Sequence, residues 1–149
     1  MSAAESQTHV REAKNRNEHP SINLYFDACD MNMRKARWDQ RPWCAAFVTW
    51  AVRQCGVPLT WLRGSLAAVA TWNRAPPSRV VPQSQAAPAD VVTYTYWSHQ
   101  ELVKEWPRNP KVPVFYAIGG NTSAGNVQHG VYTNIPRRKN SVRNIIRVI

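Results

Sequence analysis

At 149 residues, with a hydrophobic share of 44% and seven tryptophans, the chain is long enough for one packed domain and too apolar to be disordered. Its 19 lysines and arginines against 9 acids give a formal net charge of +10, which attracts polyanions such as nucleic acid, anionic lipid or an anionic wall, or serves solubility alone. Three cysteines, Cys29, Cys44 and Cys55, are too few for a disulfide scaffold and leave at least one thiol free.

The N-terminal stretch MSAAESQTHVREAKNRNEH is polar and has no apolar core of a cleaved signal peptide. Residues 1–19 are read as an extension or helix, and residues 20–149 as the domain proper. A helix is expected from about Ser21, after Pro20, through Ile22, Leu24, Tyr25, Phe26 and Ala28. The segment PWCAAFVTWAVRQCG predicts a stronger one: Pro42 suits a first turn, the run through Phe47, Val48, Trp50, Ala51 and Val52 is apolar nearly all round, and Gly56 with Pro58 ends it. Such a helix belongs at the centre of the domain.

A short helix is expected across Ser65 to Trp72. The segment APPSRVVPQSQAAPAD that follows holds four prolines and reads as an irregular surface crossing. Beyond it come five strand-like runs: DVVTYTYW, QELVKEW, VPVFYAIG, VQHGVYTNI and VRNIIRVI. The stretch GGNTSAG and Pro136 with the basic residues after it read as the turns between them. Helices first and strands second predict an α+β fold, with an antiparallel sheet of about five strands packed on the central helix. If the C-terminal run is a strand, alternation puts several of Arg137, Arg138, Lys139, Arg143 and Arg147 on one exposed face.

Cys44 falls in the first turn of the central helix, where unpaired backbone N–H groups and the helix dipole stabilise a negative charge and so favour the nucleophilic thiolate. The opposing reading is a small buried apolar residue. A nucleophile needs a base, and of the four histidines His9 and His19 sit in polar surroundings. His99, in WSHQELV between two strand-like runs, and His129, in VQHGVY, are the candidates, and His99 is favoured. Asn121, in IGGNTS, is a candidate to hold the imidazole through its second nitrogen, or else a plain turn residue. No pair of cysteines or histidines has zinc-ligand spacing, no HExxH occurs, and no glycine-rich phosphate loop or calcium loop is present, so no metal and no cofactor is expected.

The segment PWCAAFVTWAVRQCGVP closely resembles the nucleophile helix of the CHAP family (cysteine, histidine-dependent amidohydrolase/peptidase), within the NlpC/P60-like, papain-like superfamily. PADVVTYTYWSHQELV resembles the strand pair of that family, in which the histidine opens the second strand, and IGGNTS resembles its third motif. The resemblance covers most of Pro20 to Ile149 and implies a papain-like fold, with Cys44 as nucleophile, His99 as general base and Asn121 beside the histidine. It also implies a peptidoglycan hydrolase, an amidase or endopeptidase such as a phage lysin or virion-associated lysin. On that reading Gln40 is a candidate oxyanion donor, and Trp43 and Trp97 are candidate walls of the cleft.

The chain departs from the family at two places. Gly119 stands where a glutamate is common, two residues before Asn121, and Gln100, Glu101 and Leu102 replace a glycine-rich tract after the histidine. A CHAP-fold structural protein of a virion or tail with weakened activity, and a basic nucleic-acid-binding domain, are the rival readings. The implied partners are peptidoglycan, an anionic cell-wall or outer-membrane surface, and other virion proteins. The implied location is the host cytoplasm and then the wall after lysis, or the virion.

Overall fold

The computed structural model describes residues 1–149. Four helices, α1 (Ser2–Glu5), α2 (Pro20–Asp27), α3 (Cys44–Gln54) and α4 (Val69–Asn73), precede five strands, β1 (Val91–Tyr94), β2 (Gln100–Glu105), β3 (Val114–Thr122), β4 (Gly130–Arg138) and β5 (Val142–Ile146). The strands form one antiparallel sheet in the order β4-β3-β2-β1-β5. The expected α+β architecture is therefore observed, and no helix is long and apolar enough to cross a membrane.

The central helix begins at Cys44, two residues after Pro42, and stops at Cys55 and Gly56, whose φ of +71° is the left-handed conformation that terminates helices. Eight of its eleven residues are buried, and it lies across β2 and β3. Each large apolar side chain removed from water there contributes roughly 1.5–3 kcal/mol. Tyr25 of α2, Trp43 and Phe47 form an aromatic cluster beside it, with ring centroids 5.4–6.5 Å apart.

Period-two alternation sends Val91, Leu102, Ile118 and Ile146 into the helix-side core, while Val92, Val103, Ala117 and Ile145 face a second core on the other side of the sheet. The proline-rich crossing helps cover that second face. It makes two short 3-10 turns, Pro77–Arg79 and Gln83–Gln85, it bridges β5 through Val80 and Ile146, and it buries Ala86 fully. It is thus part of the packing rather than a surface crossing alone.

The stretch read as a turn after β3 is also strand. Gly119, Gly120 and Asn121 continue β3 to Thr122 with two register shifts against β4. Pro136 does not interrupt β4, because β4 is the edge of the sheet, where a missing N–H leaves no ladder partner unpaired.

Residues 1–19 share the core: Ala4, Val10 and Glu12 are buried, and Arg11 bridges Gly130 of β4. The C-terminal basic residues do not make one exposed face. Arg137 and Arg147 pair with Glu101 and Asp90, and Lys139 is buried with its ammonium donating to the Pro107 carbonyl (2.7 Å), so only Arg138 and Arg143 stay exposed. Asp90 also accepts from the Ala87 N–H (2.9 Å), which makes it the organiser of the turn before β1.

Candidate active site

Cys44 lies at the head of α3, and His99 immediately precedes β2. The packing of α3 across the sheet brings the two together, close enough for Cys44 to raise the pKa of the His99 ring. Both are almost fully buried, at 5% and 2% exposure. As a first-turn residue Cys44 has a backbone N–H with no intrahelical acceptor; the first backbone bond into the helix is from Phe47 N–H to the Trp43 carbonyl.

The far side of the imidazole is held by Glu101, not Asn121. His99 Nε2 is 3.0 Å from Glu101 Oε1. Residues 99 and 101 are two apart in an extended chain, so their side chains emerge on the same side. Glu101 is itself fully satisfied. Arg137 of β4 donates to both of its oxygens, Nη2 to Oε1 (2.7 Å) and Nε to Oε2 (2.9 Å), and the Tyr94 hydroxyl donates to Oε2.

Gly119 explains how this carboxylate fits. A Cβ at position 119 would stand 2.5 Å from Glu101 Cγ and 2.8 Å from Oε1. The carboxylate beside His99 thus comes from β2, and the glycine on β3 is the space it occupies. Gly120 plays the same part for the Trp43 ring. Gly119→Ala is therefore expected to displace Glu101 and destabilise the protein by roughly 1–3 kcal/mol, as overpacking of a tight site does. Unfolding midpoints in urea would check it, and a variant as stable as the parent would refute the packing argument.

Trp97 lies flat on the His99 ring, with centroids 3.8 Å apart and planes 9° from parallel, and the Arg137 guanidinium sits 5.0 Å from the centre of the same indole. Trp97 also lines a cleft of about 590 Å³ together with Asn121, Thr122, Ser123, His129 and Arg137, among other residues, and none of its lining residues is acidic. Neither Cys44 nor His99 is among the residues that line this cleft, so Trp97 is the link between the cleft and the imidazole. His129, the rival base, lines this cleft but is not the ring that meets the thiol.

Asn121 adopts a left-handed backbone (φ +57°), which asparagine tolerates better than most residues. With its amide oxygen accepting from the Trp43 backbone N–H (3.0 Å), its nitrogen donates to Glu12 Oε1 (3.1 Å) and Asn17 Oδ1 (3.2 Å). Asn121 therefore braces the residue just before Cys44 rather than the histidine. Trp43 is fully buried, its indole N–H donating to Glu12 Oε1 (2.8 Å), so it belongs to the core and not to the cleft. Gln40 is exposed on the turn Trp38–Gln40, with no side-chain hydrogen bond to the protein and no place in the cleft lining.

Reading the sequence missed Glu101, Arg137 and Tyr94 as members of the site. The spacing His99-x-Glu101 at the start of a strand was the available signal for the first. Nothing local marks Arg137, which lies 36 residues beyond Glu101.

Charge sets the protonation of this cluster. Burial alone would lower the pKa of His99, but the hydrogen bonds to Cys44 and Glu101 and their negative charge outweigh it and raise the pKa to about 9. Burial would raise that of Glu101, but the hydrogen bonds from Arg137 and His99 pull it down to about 2. A protonated imidazolium at His99 is the state these neighbours favour at neutral pH.

These shifts make stability depend on pH in two windows. The His99 contribution is complete below its ordinary pKa of 6.5 and is lost as pH rises to about 9. That of Glu101 is complete above 4.5 and is lost as pH falls to about 2. At about 1.4 kcal/mol per pKa unit each limb amounts to at most about 3–4 kcal/mol. Thermal midpoints should be flat between pH 4.5 and 6.5 and decline on both sides, with the alkaline limb flattened in His99→Ala; an unchanged midpoint from pH 6.5 to 9 would contradict the assignment.

Of the other thiols, Cys29 is buried, which pushes its pKa up to about 11 despite a hydrogen bond with Thr49, and Cys55 is exposed. No cluster of three or more histidine, cysteine or acidic residues is arranged to hold a metal ion. No family model, curated protein or solved structure matches the chain.

Proposed function

We propose that the chain is a cysteine-dependent hydrolase of the CHAP type that cuts amide bonds in bacterial peptidoglycan. The observation that carries this reading is the buried relay Cys44–His99–Glu101, a thiol at a helix head against an imidazole whose other nitrogen is held by a carboxylate. That is the arrangement nucleophilic acyl transfer needs. Glu101 also removes the main argument for a weakened relic, since the imidazole is supported although position 119 is glycine.

In the proposed reaction the Cys44 thiolate attacks the amide carbonyl carbon, and the oxyanion accepts from the Cys44 N–H. The C–N bond breaks as the His99 imidazolium gives its proton to the leaving amine, leaving a thioester and a neutral imidazole. Neutral His99 then takes a proton from water as the hydroxide attacks the thioester. The acid is released, and the thiolate and imidazolium return. Glu101 touches neither substrate nor sulfur, and its role is to position the ring and favour its protonated form.

Peptidoglycan as substrate is supported by the family resemblance, by the formal net charge of +10 against an anionic wall, and by a cleft free of acidic residues whose Trp97 wall stacks on His99, suited to stem peptides that carry carboxylates. A lysin released at lysis or carried on a virion is the proposed setting. The test is digestion of purified sacculi followed by mass spectrometry of the soluble muropeptides. New free amines at one amide linkage are expected, which also identifies the bond cut, and intact sacculi after prolonged incubation would overturn the reading.

A further inference from the structure

A second depression, of about 570 Å³, shares no lining residue with the cleft beside Trp97, and Arg11, Glu18, His19, Asn23, Arg34 and Arg41 line it. Its centre is chemically unusual. Arg41 is only 7% exposed, yet no carboxylate lies within ion-pair distance of it. Its one side-chain hydrogen bond is from Nη2 to the neutral Asn23 Oδ1 (2.7 Å), and its Nε is buried with no acceptor. An uncompensated guanidinium held away from water is costly unless an anion meets it.

The neighbours are arranged to help. Arg11 uses only Nη1 for protein carbonyls, those of Thr8, Val10 and Val131, all at 2.8 Å, and stacks over Tyr132 at 3.9 Å, so its Nε and Nη2 are uncommitted. Arg34 is neutralised by Asp27. The first N–H groups of α2 are already bonded to His19, so the side chains and not the helix end supply the donors. Glu18 is the one acid in the lining without a cation partner, and it is exposed.

We propose that this depression is a binding site for a phosphate-class oxyanion, with Arg41 as the buried anchor and Arg11 as the second guanidinium. Free donors on two separate arginines that line one depression suit a tetrahedral oxyanion, whereas a planar carboxylate is satisfied by a single guanidinium fork. The phosphate is either a free small anion or part of an anionic wall polymer. In the second case the site ties the polymer to the segment that leads into α3, since Arg41 is three residues before Cys44. The site does not depend on the catalytic reading, and it is tested without activity.

The experiment is calorimetric titration of the Cys44→Ala protein, in low-salt buffer, with inorganic phosphate and with a poly(glycerol phosphate) oligomer, against sodium chloride of matched ionic strength. Saturable phosphate binding is expected, weakened at least tenfold in Arg41→Gln and in Arg11→Gln, and unchanged in Arg143→Gln at the exposed β5 position. Arg41→Gln should also unfold, in phosphate-free buffer, at a temperature no lower than the parent, because the change removes an unpaired buried charge. Oligomer binding tenfold tighter than inorganic phosphate would identify the polymer as source, and equal affinity per phosphate would identify the free anion. Heats no larger than those of sodium chloride, or undiminished binding in both Arg41→Gln and Arg11→Gln, would overturn the proposal.

Discussion

Cys44→Ala and His99→Ala are each expected to abolish the release of muropeptides from purified peptidoglycan, with turnover lowered by at least about a thousandfold. The thiolate forms the bond that replaces the amide, and no other thiol can substitute: Cys29 is buried with its proton held tightly, and Cys55 is exposed at the opposite end of α3. His99 carries both proton transfers, so its loss should cost about as much as loss of the sulfur, and the double variant should be little worse than either single one. Equal clearing by wild type and both variants would remove the proposed nucleophile and base together. Because His99 must be protonated to release the amine, wild-type kcat/KM should fall above about pH 9, where the ring loses its proton.

Glu101→Gln is expected to damage both activity and stability. The amide can still face His99 Nε2 but brings no charge, so the imidazolium loses much of its support and the alkaline limb of kcat/KM moves to lower pH. A fall of roughly a hundredfold in kcat/KM at pH 8 is in keeping with the loss of one general acid–base contribution. The same change leaves Arg137 without its carboxylate in a partly buried site, a break that costs about 3–5 kcal/mol in comparable buried pairs. These two effects can be separated. Arg137→Met in the Glu101→Gln background removes the stranded guanidinium and should recover much of the denaturant midpoint, while leaving the pH profile displaced. An alkaline limb unmoved in Glu101→Gln would show that Glu101 is structural only.

Much of this site is local in character and could be read from the chain. PWCAAFVTWAVRQCG is apolar on nearly every face, and that property alone buries the helix and sets Cys44 in its first turn. The strands announce themselves by β-branched and aromatic alternation, and His99 falls at the opening of one of them. The α+β class, the central helix and the placement of Cys44 at its head and His99 before a strand were all legible for that reason: helix and strand periodicities are properties of contiguous residues.

What the tertiary structure decided was which distant groups share one volume. Gly119 and Gly120 look like turn punctuation, but here they are strand residues whose missing side chains admit Glu101 and Trp43. Asn121 stands next to them, and the bulged register of β3 turns it toward Trp43 and Glu12 instead of the imidazole. Arg137 reaches Glu101 across β3, and Arg41 is stranded without an acid because of what packs around it. Complementarity of charge and volume between strands far apart in the chain depends on sheet order and register, and no local run of residues encodes either one.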